Sequence, residues 1–300
     1  MAEARSPLLA NEPPLTDGAH RSGILLRKFN EIDGRLFVHP ALFSDVDSDT
    51  FTVGQHRRVS DANDDHVLLG TPVSSFTAHP YVIPNLPYRQ DDLAPIARGW
   101  NVIIVIAVPA SLPVNSIREL VELAKAQPGK LNWAGTTGAI DFLFAGFLKH
   151  NGLVMERVPY RNPQDAANDL ATGRVQVCDA SLATLRPQLE AGNIKLLAVT
   201  NTARTPSHQN LPTVKEAGYP ELTLDGLVGV FGPKSMPVSL RERIAADVKV
   251  AINDPVIIDR LNLTGQMLNF GGAAEFEESI NQQRATVAAA AKSLDIKSLQ

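Results

Sequence analysis

Two loops that are rich in small and hydroxyl-bearing residues are the part of the sequence best suited to bind a ligand. The first covers residues 70–75 after a predicted strand, and the second covers residues 135–139 between a predicted strand and a predicted helix. Small residues let the backbone approach a ligand, and the first N–H groups of a helix favour an anion. Neither loop holds an evident acid, base or nucleophile, so the pattern favours binding over catalysis. The candidate ligand-binding residues are Thr71, Ser74, Ser75, Gly135, Thr136, Thr137, Gly138 and Ala139.

The usual catalytic and cofactor motifs do not occur in the sequence. It has no Gly-rich phosphate loop, no G-x-G-x-x-G, no H-E-x-x-H and no G-x-S-x-G. The seven histidines are scattered, with no pair spaced to share one face, and we interpret them as surface or loop residues. Cys178, which ends an apolar strand, is interpreted as a small buried residue and not as a reactive thiol. We therefore expect no metal site, no cofactor and no enzymatic activity.

Composition excludes several other classes of protein. With 300 residues, of which 44% are hydrophobic and 20% charged, the chain can bury one large core or two ordinary ones. The net charge of -4 argues against a nucleic-acid or anionic-membrane partner. One cysteine excludes an intramolecular disulfide. The longest apolar run, residues 102–110, is of strand length and too short to cross a bilayer.

Short apolar runs alternate with helical patterns from residue 65 onward, which is typical of an α/β fold. Ser116 begins a capping box, and Asn162 and Asp254 each precede a proline at the first helical position. Thr213 begins another capping box, closed by Gly218. A helix is expected from residue 139 to about 150, and a long one over 273–294. The alternation predicts βαβ units in a mainly parallel sheet.

The first 65 residues differ in character from the rest. Six aspartates crowd residues 44–65, and the apolar runs at 24–26 and 36–38 are candidate strands that no helix follows. We expect weak or irregular structure there. Residues 1–21 contain acids and two adjacent prolines, so no signal peptide is legible and the chain at face value stays in the cytoplasm.

Nine motifs after residue 65 resemble the substrate-binding receptors of tripartite tricarboxylate transporters, the Bug family. They are L-L-G-T-P at 68–72, N-L-P-Y at 85–88, D-L-A-P-I at 92–96, P-G-K-L-N-W-A at 128–134, V-P-Y-R at 158–161, G-R-V-Q-V at 173–177, L-A-V-T at 197–200, L-P-T-V-K-E-A-G at 211–218 and G-V-F-G-P at 229–233. The similarity runs in order over roughly residues 65–297, which makes it more specific than any one motif. The family's P-F-x-P-G-G-x-x-D loop is not found before residue 65.

The resemblance implies a type II periplasmic-binding-protein fold, in which two α/β domains flank a ligand cleft. Domain one would comprise residues 66–108 and 200–300, domain two residues 109–199, and an atypical segment residues 1–65. The chain would cross between the domains near 108–111 and 200–205.

In such receptors, loops at strand ends, their backbone amides and ordered waters hold a small carboxylate. Both candidate loops map onto these positions, and Tyr160 and Ser181 map onto further cleft-lining ones. Members that recognise amino groups carry Asp at the position aligned with Ala180. Here Asp179 is one residue away, so a plain carboxylate is the expected ligand.

The expected function is that of a periplasmic receptor that captures a mono-, di- or tricarboxylate, closes by hinge motion and serves membrane permease subunits. No nucleic acid is expected as a partner. Three alternatives stay open. The chain could be a cytoplasmic carboxylate sensor if Met1 is the true start, a receptor relic that no longer binds, or an enzyme. An enzyme would use Asp141, Asp179 or Cys178, but no base–nucleophile pair supports it.

Overall fold

The computed structural model describes residues 67–86, 88–135 and 138–299, together with three short strands before them. The strands are β1 (Ile24–Arg27), β2 (Glu31–Ile32), β3 (Arg35–Leu36), β4 (Val67–Pro72), β5 (Leu93–Val102), β6 (Ile104–Pro109), β7 (Leu131–Gly135), β8 (Met155–Arg157), β9 (Val177–Ser181), β10 (Ile194–Val199), β11 (Gly226–Pro233) and β12 (Gln266–Gly271). The α-helices are α1 (Ser74–Thr77), α2 (His79–Val82), α3 (Ile117–Ala126), α4 (Ala139–His150), α5 (Pro163–Ala171), α6 (Leu182–Glu190), α7 (Val238–Ile252), α8 (Pro255–Leu263) and α9 (Ala273–Ser293).

Most of these strands form two five-stranded sheets. The first sheet has the order β1-β4-β11-β5-β12, and the second has the order β10-β6-β9-β7-β8. The predicted α/β class is therefore confirmed, but the prediction of mainly parallel sheets is wrong. Every pair in the first sheet is antiparallel, and in the second only the pairs of β7 with β8 and with β9 are parallel. In the first sheet, β11 inserts between β4 and β5 and runs opposite to both of them, and in the second sheet β6 runs opposite to both β9 and β10.

The chain passes from one sheet to the other in two places. β5 ends at Val102 in the first sheet and β6 begins at Ile104 in the second, so this crossing lies at Ile103. The crossing predicted from the sequence, near residues 108–111, lies several residues too late. Residues 102–108 form one apolar run in the sequence, and nothing in that run indicates that it is divided between two strands. The return crossing is the segment of residues 200–225 between β10 and β11, which includes the expected residues 200–205.

Helices cover both faces of each sheet, because successive side chains of a buried strand point to opposite faces. In the second sheet, Ile106 belongs to the cluster that contains Phe144 of α4, and Val105 to the cluster that contains Leu170 of α5. In the first sheet, Leu69 joins Phe276 of α9, whereas Leu68 joins Ile244 of α7.

Three predicted helix starts are confirmed by their caps. The capping bonds run from Glu119 N to Ser116 Oγ at 3.2 Å, from Gln164 N to Asn162 Oδ1 at 3.1 Å and from Val256 N to Asp254 Oδ1 at 2.8 Å. Thr213 and Glu216 also form a reciprocal box, with Thr213 N donating to Glu216 Oε2 at 2.8 Å and Glu216 N to Thr213 Oγ1 at 3.1 Å. This box closes only a turn, because Gly218, with a φ of 93°, ends it.

The expectation of weak or irregular structure before residue 65 is wrong for β1. This strand pairs antiparallel with β4, from Ile24 opposite Gly70 to Arg27 opposite Val67. Its partner strand comes some forty residues later, which is why the absence of a following helix was a misleading signal. The acidic stretch at 44–65 and most of the remaining segment lie outside the described residues.

Candidate ligand site

The two candidate loops follow strands of different sheets, and the helices they lead into meet. Ala78, which follows α1, belongs to the same buried cluster as Ala139 and Ile140, which begin α4. The rings of Tyr81 and Phe142 pack edge to face, with their centroids 5.6 Å apart. The segment of α1 and α2 that follows the first loop is therefore held against the start of the helix after β7.

A buried hydrogen-bond network orders the loop after β4. Thr71 Oγ1 lies 3.3 Å from Ser75 Oγ, and both residues are buried, whereas Ser74 is half-buried. The Tyr88 hydroxyl donates to the carbonyl oxygen of Ser75 at 2.9 Å and lies 3.1 Å from Nδ1 of His79. Because that hydroxyl has one proton, which goes to Ser75, Nδ1 of His79 must donate to Tyr88. These hydrogen bonds, from His79 to Tyr88 and from Tyr88 to the Ser75 carbonyl, fix the backbone at the start of α1.

The interpretation of the histidines as surface or loop residues is wrong for His79. Its side chain is only 3% exposed and lies in α2. Its partner Tyr88 follows nine residues later, within the N-L-P-Y motif, and the histidine itself carries no sequence signal of this contact.

The second loop leads into the N-terminus of a twelve-residue helix. Gly135 is the last residue of β7, Gly138 is the N-cap of α4, and Ala139 is its first residue. No side chain caps α4 at Gly138, since glycine has none. Thr136 and Thr137 lie outside the described residues.

Two carboxylates crowd the backbone of Gly135. A Cβ at this position would lie 2.1 Å from Oδ1 of Asp141 and 2.5 Å from Oδ1 of Asp179, so these two oxygens are no farther apart than the sum of those distances. Asp141 also forms an ion pair with Nη2 of Arg157, whose guanidinium lies over the ring of Trp133 at 5.6 Å from its centroid. Asp179 is 1% exposed and Asp141 9%. From the sequence, Asp141 and Asp179 are separate catalytic candidates, and Asp179 also lies one residue from the position of the amino-recognising Asp, but nothing indicates that the two acids meet.

Cys178 is fully buried in the core of the second sheet, as its interpretation as a small buried residue requires. Burial raises the pKa of its thiol above the ordinary range, and the negative charges of Asp179 and Asp141 raise it further. Such a thiol is a poor nucleophile.

Tyr160 and Ser181 are engaged with neighbouring helices. The Tyr160 hydroxyl donates to Oδ2 of Asp169 on α5 at 2.8 Å. Desolvation and this hydrogen bond raise the pKa of Tyr160 to about 12. Ser181 ends β9 and caps α6, because its Oγ accepts the Thr184 N–H at 3.2 Å. Ser181 pairs with Ile104, so it lies beside the first crossing between the sheets.

Within the described part of the chain, no three His, Cys, Asp or Glu side chains are grouped so that they could hold a metal ion. The same residues include no helix with the length and apolar character that a membrane crossing needs. The candidate site thus consists of the turn after β4 and the N-terminus of α4, with Asp141, Asp179 and Arg157 beside the end of β7.

The comparison with protein families decides what this arrangement belongs to. The family model of the tripartite tricarboxylate transporter family receptor matches residues 48–292. The chain belongs to this family. This is a family of transporter receptors and not of enzymes, so the expectation that the chain is not an enzyme is confirmed.

Two curated relatives show how far the likeness extends. The UPF0065 protein in the tcbD-tcbE intergenic region of Pseudomonas sp. (strain P51) is 32% identical over 199 residues, which are 65% of this chain and 59% of that protein. BugT of Bordetella pertussis is 24% identical over 187 residues, which are 61% of this chain and 57% of that protein. The chain therefore spans less than two thirds of the length of these relatives.

Solved structures confirm the periplasmic-binding-protein fold that the resemblance implied. Rpa4515 of R. palustris, solved with adipate, has a TM-score of 0.71 at 24% identity and covers 83% of this chain and 84% of its own. The periplasmic binding protein BugD has a TM-score of 0.66 at 24% identity and covers 82% of this chain and 84% of its own. At this identity the likeness concerns the fold alone.

Proposed function

We propose that this protein is a receptor that binds a small organic carboxylate between two lobes and delivers it to the permease subunits of a tripartite tricarboxylate-type transporter in the periplasm. One lobe is the first sheet with α1, α2 and α7 to α9, and the other is the second sheet with α3 to α6. The observation that carries the proposal is the contact of Ala78 and Tyr81, in the segment that follows the turn after β4, with the start of α4 from the other sheet. Ligands of α/β sheets bind at such strand ends.

The chemistry of these turns suits an anion. The unpaired N–H groups at the start of a helix and the helix dipole attract negative charge, and α4 has only a glycine as its N-cap. Hydroxyls on the opposing turn can donate to a second acidic group. The proposed contacts are Thr71, Ser74, Ser75, Gly135, Thr136, Thr137, Gly138 and Ala139, with Ser181 and the ring of Tyr160 at the margin. That Rpa4515 was solved with adipate and MatC of Rhodopseudomonas palustris with malate supports a dicarboxylate as the ligand class.

A second candidate ligand carries an ammonium group as well as a carboxylate. Asp141 and Asp179 place two acidic groups at Gly135, and the guanidinium of Arg157 is paired with Asp141. A ligand carboxylate pressed against this side would meet like charge, whereas an ammonium group would be attracted. This observation favours an amino acid over the plain carboxylate expected from the sequence.

Matched pairs of acids distinguish the two candidates. The melting temperature is measured with succinate against aspartate and with glutarate against glutamate, since each pair differs by one amino group. A ligand at about 100 times its dissociation constant adds roughly 2.7 kcal/mol to the free energy of unfolding, which a calorimetric melt detects easily. A rise with the diacids supports the first candidate, and a rise with only the amino acids supports the second.

A pair of variants then tests the site. Ser74→Ala, in the half-buried hydroxyl turn after β4, is expected to weaken binding of the selected acid, whereas Ser239→Ala on the exposed face of α7 is not. A cooperative melt that no mono-, di- or tricarboxylate or amino acid raises would contradict the proposed function.

A further inference from the structure

The side chain of Asn201 bonds to both crossings between the sheets. Its Oδ1 accepts the backbone N–H of Ile104 at 3.1 Å. Its Nδ2 donates to the carbonyl oxygen of Val102 at 3.1 Å and to Oδ1 of Asp225 at 3.4 Å. Asn201 is 1% exposed, and its three bonds are partly buried.

These partners divide between the two lobes. Ile104 begins β6, which belongs to the second sheet, and Asn201 follows β10 of the same sheet. Val102 ends β5 and Asp225 directly precedes β11, both in the first sheet. The oxygen of the carboxamide is therefore bonded within the second lobe, and its nitrogen reaches across to the first.

Asp225 is itself held in place for this contact. Its Oδ1 accepts the backbone N–H of Thr202 at 3.1 Å, and its Oδ2 accepts the Thr202 hydroxyl at 2.9 Å. The crossings also approach each other closely, because a Cβ at Gly226 would lie 2.6 Å from the carbonyl oxygen of Val102. A further backbone bond joins the crossings, from Thr200 N to the Ile104 oxygen at 2.9 Å, and the two ends of the return crossing are joined by the bond from Leu224 N to the Thr200 oxygen at 2.9 Å.

We propose that Asn201 and Asp225 form a hinge clasp that sets the angle between the lobes in the ligand-free protein. Rotation about Ile103 moves Val102 and Asp225 relative to Asn201, so it must stretch the bonds of Nδ2, while the bond of Oδ1 to Ile104 travels with the second lobe. The effect of the clasp on the angle between the lobes does not depend on the proposed function, whereas its effect on ligand affinity does. If the loss of the clasp lowers the fraction of molecules in the binding-competent orientation tenfold, the apparent affinity falls tenfold.

The angle between the lobes can be measured without a ligand. Nitroxide labels are attached at Glu122→Cys on α3 and Glu242→Cys on α7, both exposed, and the distance distribution between them is recorded by double electron–electron resonance. The native Cys178 is buried, so it is not labelled.

Asn201→Asp is the decisive variant. It keeps an oxygen for the Ile104 N–H but replaces the donor that faces Val102 and Asp225 with a second acceptor. We expect a broader distance distribution, with a population absent from the parent. Asn193→Asp makes the same chemical change at an exposed position directly before β10 and is expected to leave the distribution unchanged.

Exchanging the two groups separates a clasp from simple packing. Asn201→Asp combined with Asp225→Asn restores one donor and one acceptor between the two positions, so the narrow distribution should return in part. Thr202→Val, which removes only the hydroxyl bond to Asp225, is a milder variant should Asn201→Asp fail to fold.

The outcomes are distinct for the clasp and for the proposed function. A parent-like distribution in folded Asn201→Asp or, if that variant does not fold, in Thr202→Val overturns the clasp. The clasp is also overturned if Asn201→Asp broadens the distance distribution and the addition of Asp225→Asn does not narrow it again. Failure of every acid to bind overturns the receptor function and leaves the distance measurement as it stands.

Discussion

Gly135→Ala is the substitution whose cost follows most directly from the structure. Its Cβ would lie 2.1 Å from one oxygen of Asp141 and 2.5 Å from one oxygen of Asp179, where ordinary contact begins at 3.4 Å. Asp179 is 1% exposed and belongs to β9, which has a neighbouring strand on each side. Asp141 is tied to Arg157, so neither carboxylate can retreat cheaply. We expect a loss of about 3 kcal/mol, at the upper end of the usual cost of overpacking.

The assay is a calorimetric melt at constant pH and salt. For a chain of 300 residues the entropy of unfolding is about 0.6 kcal/mol per kelvin, so the loss corresponds to a fall in melting temperature of about 5 °C. Gly99→Ala is the matched control, because Gly99 is also a buried strand glycine but has no heavy atom within 4 Å of a Cβ. Adding Asp141→Ala to Gly135→Ala removes the nearer oxygen and should recover part of the loss relative to Asp141→Ala alone. If Gly135→Ala melts like Gly99→Ala, the close approach of the two acids to this backbone is refuted.

Three further predictions concern the groups around the site. Tyr88→Phe removes the donor to Ser75 and the acceptor for His79, so it should cost about 1–3 kcal/mol in urea unfolding; a neutral result would mean that the network does not order the turn. The pKa of Tyr160 is raised to about 12, so the neutral phenol is favoured in the folded state. The contribution to stability is complete below the unfolded pKa of 10.0 and is lost as the pH rises towards 12. An absorbance titration that gives Tyr160→Phe the same high-pH transition as the parent would exclude this assignment. Finally, burial and the raised pKa of Cys178 predict that a disulfide reagent labels the thiol only after unfolding; rapid labelling of the folded protein would contradict its burial.

Local chemistry explains which parts of the fold were predictable. A helix start depends on a side chain and a backbone N–H two or three residues apart, so Ser116, Asn162 and Asp254 identified theirs correctly. The order of the strands depends on pairs that are far apart in the chain. β11 lies between β4 and β5 although more than a hundred residues separate it from both, and no local pattern indicates this. The predicted position of the first crossing was wrong for a related reason. The strands on either side of Ile103 are both apolar, so the sequence does not show where one sheet ends and the other begins.

The candidate site shows the same division more sharply. The two turns could be predicted, because each is a short stretch of glycines and hydroxyl-bearing residues directly after an apolar run. The helix that follows Gly138 also begins where it was expected. The proximity of Asp141 and Asp179 could not be predicted from the sequence. The two residues come together through the pairing of β7 with β9, which sets Asp179 opposite Gly135. Glycine at this position is what lets both acids approach the backbone. In the proposed site, a loop motif therefore indicates where a ligand can be held, whereas the register of the sheet beneath it brings two carboxylates to that place.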